Sequence, residues 1–165
     1  MHYNFLLDAH YMTAKSDLEE NKDIDFFFRG TTYAFGASTA TWDAAPTLYV
    51  GLLTAAASDS AAGTEVTGGT YARQGVVASA ANWAATDAAG STAATSGGTS
   101  GTTSNNTTIT FTGLPACSLV GAAIYDAVTG GAVRRYLLLT GQPISVAVGA
   151  TISFAPGQLT FQEDN

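Results

Sequence analysis

The pattern of apolar and polar positions changes once along this chain, at Gly30. Before it, Leu18, Ile24, Phe27 and Phe28 recur at roughly helical spacing behind Ser16-Asp-Leu-Glu19. That tetrad fits a capping box, in which the Ser hydroxyl and the Glu carboxylate each satisfy a backbone donor left open at a helix start. Asp17, Glu19 and Glu20 sit where the helix dipole favours negative charge, Arg29 lies in the last turn, and Gly30 can take a left-handed cap. One helix over about 17–29 is predicted.

After Gly30 the chain becomes short apolar or β-branched runs separated by Gly, Ala, Ser, Asn and Pro. The runs at 47–54, 71–77, 107–114, 118–127, 132–140, 144–149 and 151–162 read as strands. TTITFTGL at 107–114 alternates, with Ile109 and Phe111 on one face, and Val128-Thr-Gly-Gly131 is a hairpin turn between two runs. The expected fold is mainly β: a single antiparallel β-sandwich, jelly-roll or Ig-like, of about seven strands, with one short N-terminal α-helix. The expected organisation is an N-terminal segment and helix at 1–30, acting as a docking arm, and a sandwich domain at 31–165. Residues 84–106 hold no large apolar side chain and read as a long loop. That loop is either a mobile surface excursion or a segment ordered only against another chain.

A chain of 165 residues can bury roughly 70% of its unfolded surface, enough for one sizeable core. The 46% hydrophobic content overstates that core, because much of it is alanine. The net charge of −7 would repel a phosphate backbone, which excludes nucleic acid as the expected partner. Nine of the 13 acids lie in 8–25, at Asp43 and at the C-terminal end, leaving a nearly neutral middle suited to being covered by neighbours. Cys117 is the only cysteine and reads as a small buried hydrophobe. The N-terminus lacks the pattern of a secretion signal, and no apolar run reaches the ~18 residues of a membrane span, so a soluble chain made in a cytoplasm is expected.

Candidate chemistry is sparse. GTEVTGGTYARQGV at 63–76 is glycine-rich, yet no Lys follows its glycines as a phosphate cradle requires, and Gly68-Gly69 fit a tight reversal into a strand. His2, Asp8 and His10 lack a further well-spaced metal ligand, and no nucleophile, base and orienter set is spaced for catalysis. The carboxylates between Asp17 and Asp25 are explained by an exposed helix face, Asp43 is isolated, and Asp126 occupies a turn position. Tyr49, Tyr71, Trp83, Phe111, Tyr125, Tyr136, Phe154 and Phe161 are assigned to the core by default. Arg134 and Arg135, adjacent on a strand, must point to opposite faces, so at least one faces solvent or a partner's carboxylate. No catalytic residue, metal or cofactor is expected.

The order of pieces carries a resemblance. The helix ending ENKDIDFFFRGTTY is followed by PTLYVGLLT, GTEVTGGTYARQGV, SNNTTITF, VGAAIYDAVTGGAVRRYLLLT and VAVGATISFAPGQLTF. Over about 19–162 this resembles a family of tailed-bacteriophage virion proteins of the tail-fibre or minor structural type. Thr64, Glu65, Val66, Gly68, Gly69, Tyr71, Ala72 and Arg73 carry one of its motifs, and Ile124, Asp126, Ala127, Thr129, Gly130 and Gly131 a second. The first 15 residues and the length of the 84–106 stretch depart from the family pattern.

The resemblance implies a non-enzymatic structural subunit of the virion, synthesised in the host bacterial cytoplasm and associated with the tail as a fibre or fibre-attachment component. A decoration or cement protein of the capsid is the alternative, and a carbohydrate-binding module the third reading. Its partners would be other virion proteins and further copies of itself; a host-surface glycan has no motif to support it. The candidate assembly contacts are Arg73, Glu65, Arg134, Arg135, Phe27 and Phe28. Arg73 either pins its turn through a carboxylate such as Glu65 or reaches a neighbouring subunit.

Overall fold

A computed structural model describes residues 15–163. His2, Asp8, His10 and the first 14 residues of the expected docking arm lie outside the described residues. The elements in chain order are α1 (Asp17–Phe27), β1 (Tyr33–Phe35), β2 (Ser38–Ala40), β3 (Thr47–Ala55), β4 (Thr64–Glu65), β5 (Gln74–Val77), β6 (Thr102–Ser104) and β7 (Ile109–Leu114). They continue with β8 (Cys117–Leu119), β9 (Gly121–Tyr125), β10 (Val133–Leu138), β11 (Ile144–Val146), β12 (Ala150–Phe154) and β13 (Thr160–Gln162). Among the described residues the chain is mainly β with one short helix.

Each of the seven predicted runs contains strand, and two are divided. The 118–127 run breaks at Val120, whose N–H bonds back to Leu53 O, and the 151–162 run breaks around Pro156-Gly157. The strands not anticipated, β1, β2, β4 and β6, are two or three residues of Ala, Ser, Thr, Glu, Tyr and Phe. Such segments are too short to show a period of two.

β3 organises the larger sheet. Tyr49 to Leu53 pair with β9, while on its other side Thr47 to Val50 pair with β5 and Leu53 and Ala55 with β4. β10 extends the sheet beyond β9 through the predicted hairpin. Alternation along β3 sends Leu48, Val50 and Leu52 into the main core and Tyr49 and Leu53 to the opposite face. Three ladders, β7 with β12, β8 with β11 and β6 with β13, contribute the facing residues Ile109, Phe111, Leu119, Val146, Phe154 and Phe161. All pairings are antiparallel, as expected where hairpins connect neighbours.

The helix is joined to that core. Ile24 and Phe28 are fully buried, with the Phe28 ring 5.1 Å from Trp83 and 5.3 Å from Phe161. Ser16 caps the start, its Oγ accepting from Glu19 N–H at 3.4 Å. The Glu19 carboxylate does not return that bond and instead accepts the Tyr33 hydroxyl, so only half of the capping box forms. Gly30 turns the chain out of the helix at φ +66°, where a Cβ would sit 2.7 Å from Ala78 O.

The 84–106 stretch corrects two expectations. It is held within this chain, because α1 presents polar side chains to it. Asn21 Nδ2 donates to Gly98 O at 2.9 Å and its Oδ1 accepts from Thr86 Oγ1 at 2.5 Å. Asp25 accepts from Ser96 N–H at 2.8 Å and from Ser96 Oγ at 2.6 Å, while Arg29 donates to Ala93 O. Asp25 and Arg29 also pair with each other at 2.5 Å, with side chains only 10% and 0% exposed. The acidic helix face is therefore partly internal, since Glu20 and Asp25 are both buried. Small side chains let this backbone approach the helix closely enough for carbonyl and amide groups to serve as the partners.

Candidate assembly site

Both glycine-rich motifs meet at Arg73. Gly63, Gly68 and Gly69 all have positive φ and turn the chain back alongside β3, and Tyr71-Ala-Arg73 then leads into β5. This places Arg73 next to Glu65 across the turn. Arg73 Nε donates to Glu65 Oε1 at 2.8 Å and Nη2 to Oε2 at 2.7 Å, a two-pronged fit of guanidinium to carboxylate. Its Nη1 reaches into the β9–β10 hairpin and donates to Ala127 O at 2.6 Å and Gly130 O at 2.7 Å. The guanidinium carbon lies 3.4 Å from the centroid of the Tyr125 ring.

One side chain thus ties together three segments, and it is only 7% exposed. The hydrogen bonds to Glu65, reinforced by its charge, raise the Arg73 pKa above its ordinary value.

Tyr71 completes the cluster. Its hydroxyl donates to Glu65 Oε1 at 2.9 Å and accepts from Leu52 N–H at 2.9 Å. Burial, together with the nearby Glu65 charge, pushes the phenol well above its ordinary range. Burial raises the Tyr125 phenol as well. The space is made by Gly51 of β3, where a Cβ would lie 2.8 Å from Tyr125 Cε2, 2.9 Å from Glu65 Oε1 and 3.0 Å from the Tyr71 hydroxyl. Any side chain there would displace the cluster.

Asp126 closes the hairpin from inside. Its Oδ1 accepts from Ala132 N–H at 2.8 Å and its Oδ2 pairs with Arg134 at 2.7 Å. The Ala132 bond, with help from Arg134, holds the carboxyl below its ordinary pKa. A Cβ on Gly131, at φ +69°, would come 2.9 Å from Ala127 Cβ, so the turn requires glycine there.

The remaining candidates are distributed differently. Arg134 is exposed, and Arg135, on the opposite face of β10, pairs with Glu163 and stacks 4.8 Å from the half-buried Phe27 ring. Phe28 is 0% exposed and lies in the core. The structure therefore brings Glu65 with Arg73 and Phe27 with Arg135, and it keeps Phe28 away from the surface. Tyr136, assigned to the core by default, is exposed on β10, where its hydroxyl donates to Asp59 at 2.9 Å.

Sequence reasoning missed Tyr71 and Tyr125 as parts of the Arg73 cluster, and Asn21, Asp25 and Arg29 as anchors. The second group had a signal. Residues 20, 24 and 28 and residues 21, 25 and 29 form two adjacent rows on one helical surface, so burial of Ile24 and Phe28 draws in the neighbouring polar row. Among the described residues, no group of three His, Cys, Asp or Glu side chains is placed to hold a metal, and no helix is long and apolar enough to cross a membrane.

No curated protein and no solved structure matches the chain. A family model does: the one described as Podophage GP4 fiber I protein gp80 matches residues 14–162. That interval takes in α1, every strand and the whole Arg73 cluster. With nearly the full length matched, the chain belongs to the podophage GP4 fiber I protein gp80 family.

Proposed function

We propose that this chain is a non-enzymatic structural subunit of a tailed-bacteriophage virion, working at the tail as a fibre or fibre-attachment component. The family match across residues 14–162 carries the reading. The distribution of charge supports it. All six Lys and Arg side chains are engaged within the chain: Lys15 with Asp23 and Glu163, Lys22 over the Tyr33 ring, and the four arginines with Asp25, Glu65, Asp126 and Glu163. Such a surface works through shape, and weak contacts repeated around an oligomer add up by raising effective concentration.

Arg134, Arg135 and Phe27 are the assembly contacts of this proposal, facing another virion protein or a second copy. Arg73 and Glu65 act indirectly, by fixing the hairpin that bears Arg134. Self-association is read by light scattering of the purified chain, which is expected to give a defined oligomer.

The deciding experiment is immunogold labelling of purified virions with copy number from quantitative gels. Label at the tail with a few to tens of copies is the expected result. Label over the head with hundreds of copies makes the chain a capsid decoration protein and ends the tail proposal.

A further inference from the structure

β10 is an edge of the larger sheet: β9 pairs with one side of it, and among the described residues no strand pairs with the other. One bond fixes the direction of its backbone donors. Leu139 N–H bonds to Val120 O, on the β9 side, and donors alternate along an antiparallel strand, so the N–H groups of Tyr136 and Leu138 point away from β9. An open edge invites pairing, and proteins blunt it with charge or a bulge. β10 has both at its start, where Arg134 and Arg135 lie at a shift of register, and neither over 136–138. There Leu138 is 57% exposed and Tyr136 39%, on the outer face beside the smaller apolar cluster that contains Leu53 and Ala123.

The chain itself supplies a segment of matching pattern. In residues 1–11, Tyr3, Phe5, Leu7, Ala9 and Tyr11 alternate with His2, Asn4, Asp8 and His10, interrupted only by Leu6. A period of two is the signature of a half-buried strand. The point where this segment joins the described fold is also fixed. One oxygen of the Glu163 carboxylate accepts from Arg135 Nε and the other pairs with Lys15 Nζ at 3.2 Å, so a single side chain links Lys15 to β10.

We propose that residues 1–14 pair as an antiparallel strand with the free edge of β10 in the same chain, over 136–138. The anchor sets the direction. A segment that starts from Lys15 near Arg135 and runs back through its sequence toward Leu138 opposes β10, as a neighbour joined without a crossover does. Its odd-numbered apolar side chains then fall on the outer face beside Tyr136 and Leu138, and Asp8 and His10 fall on the side that carries Arg135. Reach is ample: fourteen extended residues span roughly 46 Å, against roughly 20 Å for the six residues of β10. The short tether from Lys15 also holds the segment near its own edge at an effective concentration of roughly millimolar, which favours this copy over another. Pairing takes the backbone edge past Arg135 and leaves the side chains of Phe27, Arg134 and Arg135 to assembly.

Amide hydrogen exchange of the full chain, followed by NMR, is compared with that of Leu7→Pro/Ala9→Pro, which removes two backbone donors and cannot form the strand. The Tyr136 and Leu138 amides are expected to exchange about tenfold or more slowly in the parent than in the variant. The Leu137 and Leu139 amides, on the β9 side, are expected to be equally protected in both and report that the sheet is folded. Equal exchange at Tyr136 and Leu138 in the two proteins overturns the proposal.

Disulfide trapping in dilute solution identifies which chain gives the strand. Leu138→Cys is combined in turn with Leu7→Cys, Ala9→Cys and Tyr11→Cys, each with Cys117→Ser. At least one pair is expected to close within a chain, read on a non-reducing gel and by peptide mapping. Bonds only between chains, or none in any pair, overturn the proposal. Gold labelling reads placement on the virion separately, so a chain at the tail that fails both tests rejects this pairing alone.

Discussion

Two regions of this molecule reach order by opposite means. The sheet around β3 and β9 is held by burial: Val50, Leu52, Leu53, Ala122, Ala123 and Ile124 are all fully buried, each large side chain contributing about 1.5–3 kcal/mol. The seam between α1 and residues 84–101 has almost no large apolar side chains on the loop side. It is held by directional bonds from Asn21, Asp25 and Arg29 to backbone groups and small hydroxyls. Burial is tolerant of shape, whereas a polar seam inside a protein stands or falls with each partner, because an orphaned group has no water to turn to.

The contrast breaks most visibly at Asp25. Asp25→Ala strands a buried Arg29 and frees Ser96, and removing one partner of a buried ion pair typically costs about 3–5 kcal/mol. Limited proteolysis of the free protein is expected to spare 87–98 in the parent and to cut there first in the variant. Leu52→Ala, at about 2–5 kcal/mol, is expected to lower the denaturation midpoint without exposing that segment selectively. If both variants are cut alike, the two regions form one cooperative unit.

The Arg73 cluster lies between these extremes, a polar knot set on the outer face of the sheet. Arg73→Ala is expected to cost roughly 2–4 kcal/mol, somewhat less than a fully buried pair because Glu65 retains contact with water. Arg73→Lys should recover little, since an ammonium cannot make the two-pronged contact with Glu65 and also reach Ala127 O and Gly130 O. Chemical denaturation measures the stability, and amide exchange in 127–131 reports whether the hairpin loosens.

How much of this the sequence disclosed follows from the same physics. Strands β3, β7 and β10 were legible because large apolar residues mark them, and the helix start because Ser16 has a local partner. The link from Glu65 to Arg73 was open to inference because both are charged and the glycines between them demand a turn. What Arg73 does beyond Glu65 was hidden: Ala127 O and Gly130 O are backbone acceptors, and every residue has one. The seam was hidden for the same reason, with the added difficulty that its donors and acceptors lie some 70 positions apart, as Asp25 and Ser96 do at a separation of 71.

Alkaline pH sharpens the middle case. The Tyr71 phenol has its pKa raised above the ordinary 10.0 by burial, so the folded state keeps a proton that the unfolded chain gives up. Its stabilisation is complete below pH 10 and falls as pH rises through the window between the unfolded and folded values, because the unfolded state then binds fewer protons. Tyr71→Phe is expected to cost about 1–3 kcal/mol at neutral pH, by leaving Leu52 N–H without its acceptor, and to flatten the decline above pH 10. Urea melts at a series of pH values read both effects. Tyr125, shifted in the same direction, is expected to account for part of the slope that remains.

The smallest effect asks where the seam begins. Ser16 is the N-cap of α1, and its replacement by alanine is expected to cost about 1 kcal/mol, within the usual 0.5–2. Only the Ser half of the cap acts on the backbone, since the Glu19 carboxylate is held by Tyr33. The Glu19 amide also donates to Ser16 O at 2.8 Å, a bond that alanine keeps, so loss of the hydroxyl should speed exchange of that amide modestly and little else. The Ser96 amide, bonded to Asp25 two turns further along the helix, is expected to keep its protection. Exchange at Glu19 without exchange at Ser96 means that the helix can fray from its start while the seam holds, and that Asp25, anchored beside Ile24 and Phe28, is where burial hands over to directional bonding. Acceleration at both amides means that the seam opens with the first turn, and the boundary between the two regions then lies at the edge of the sheet, outside the helix altogether.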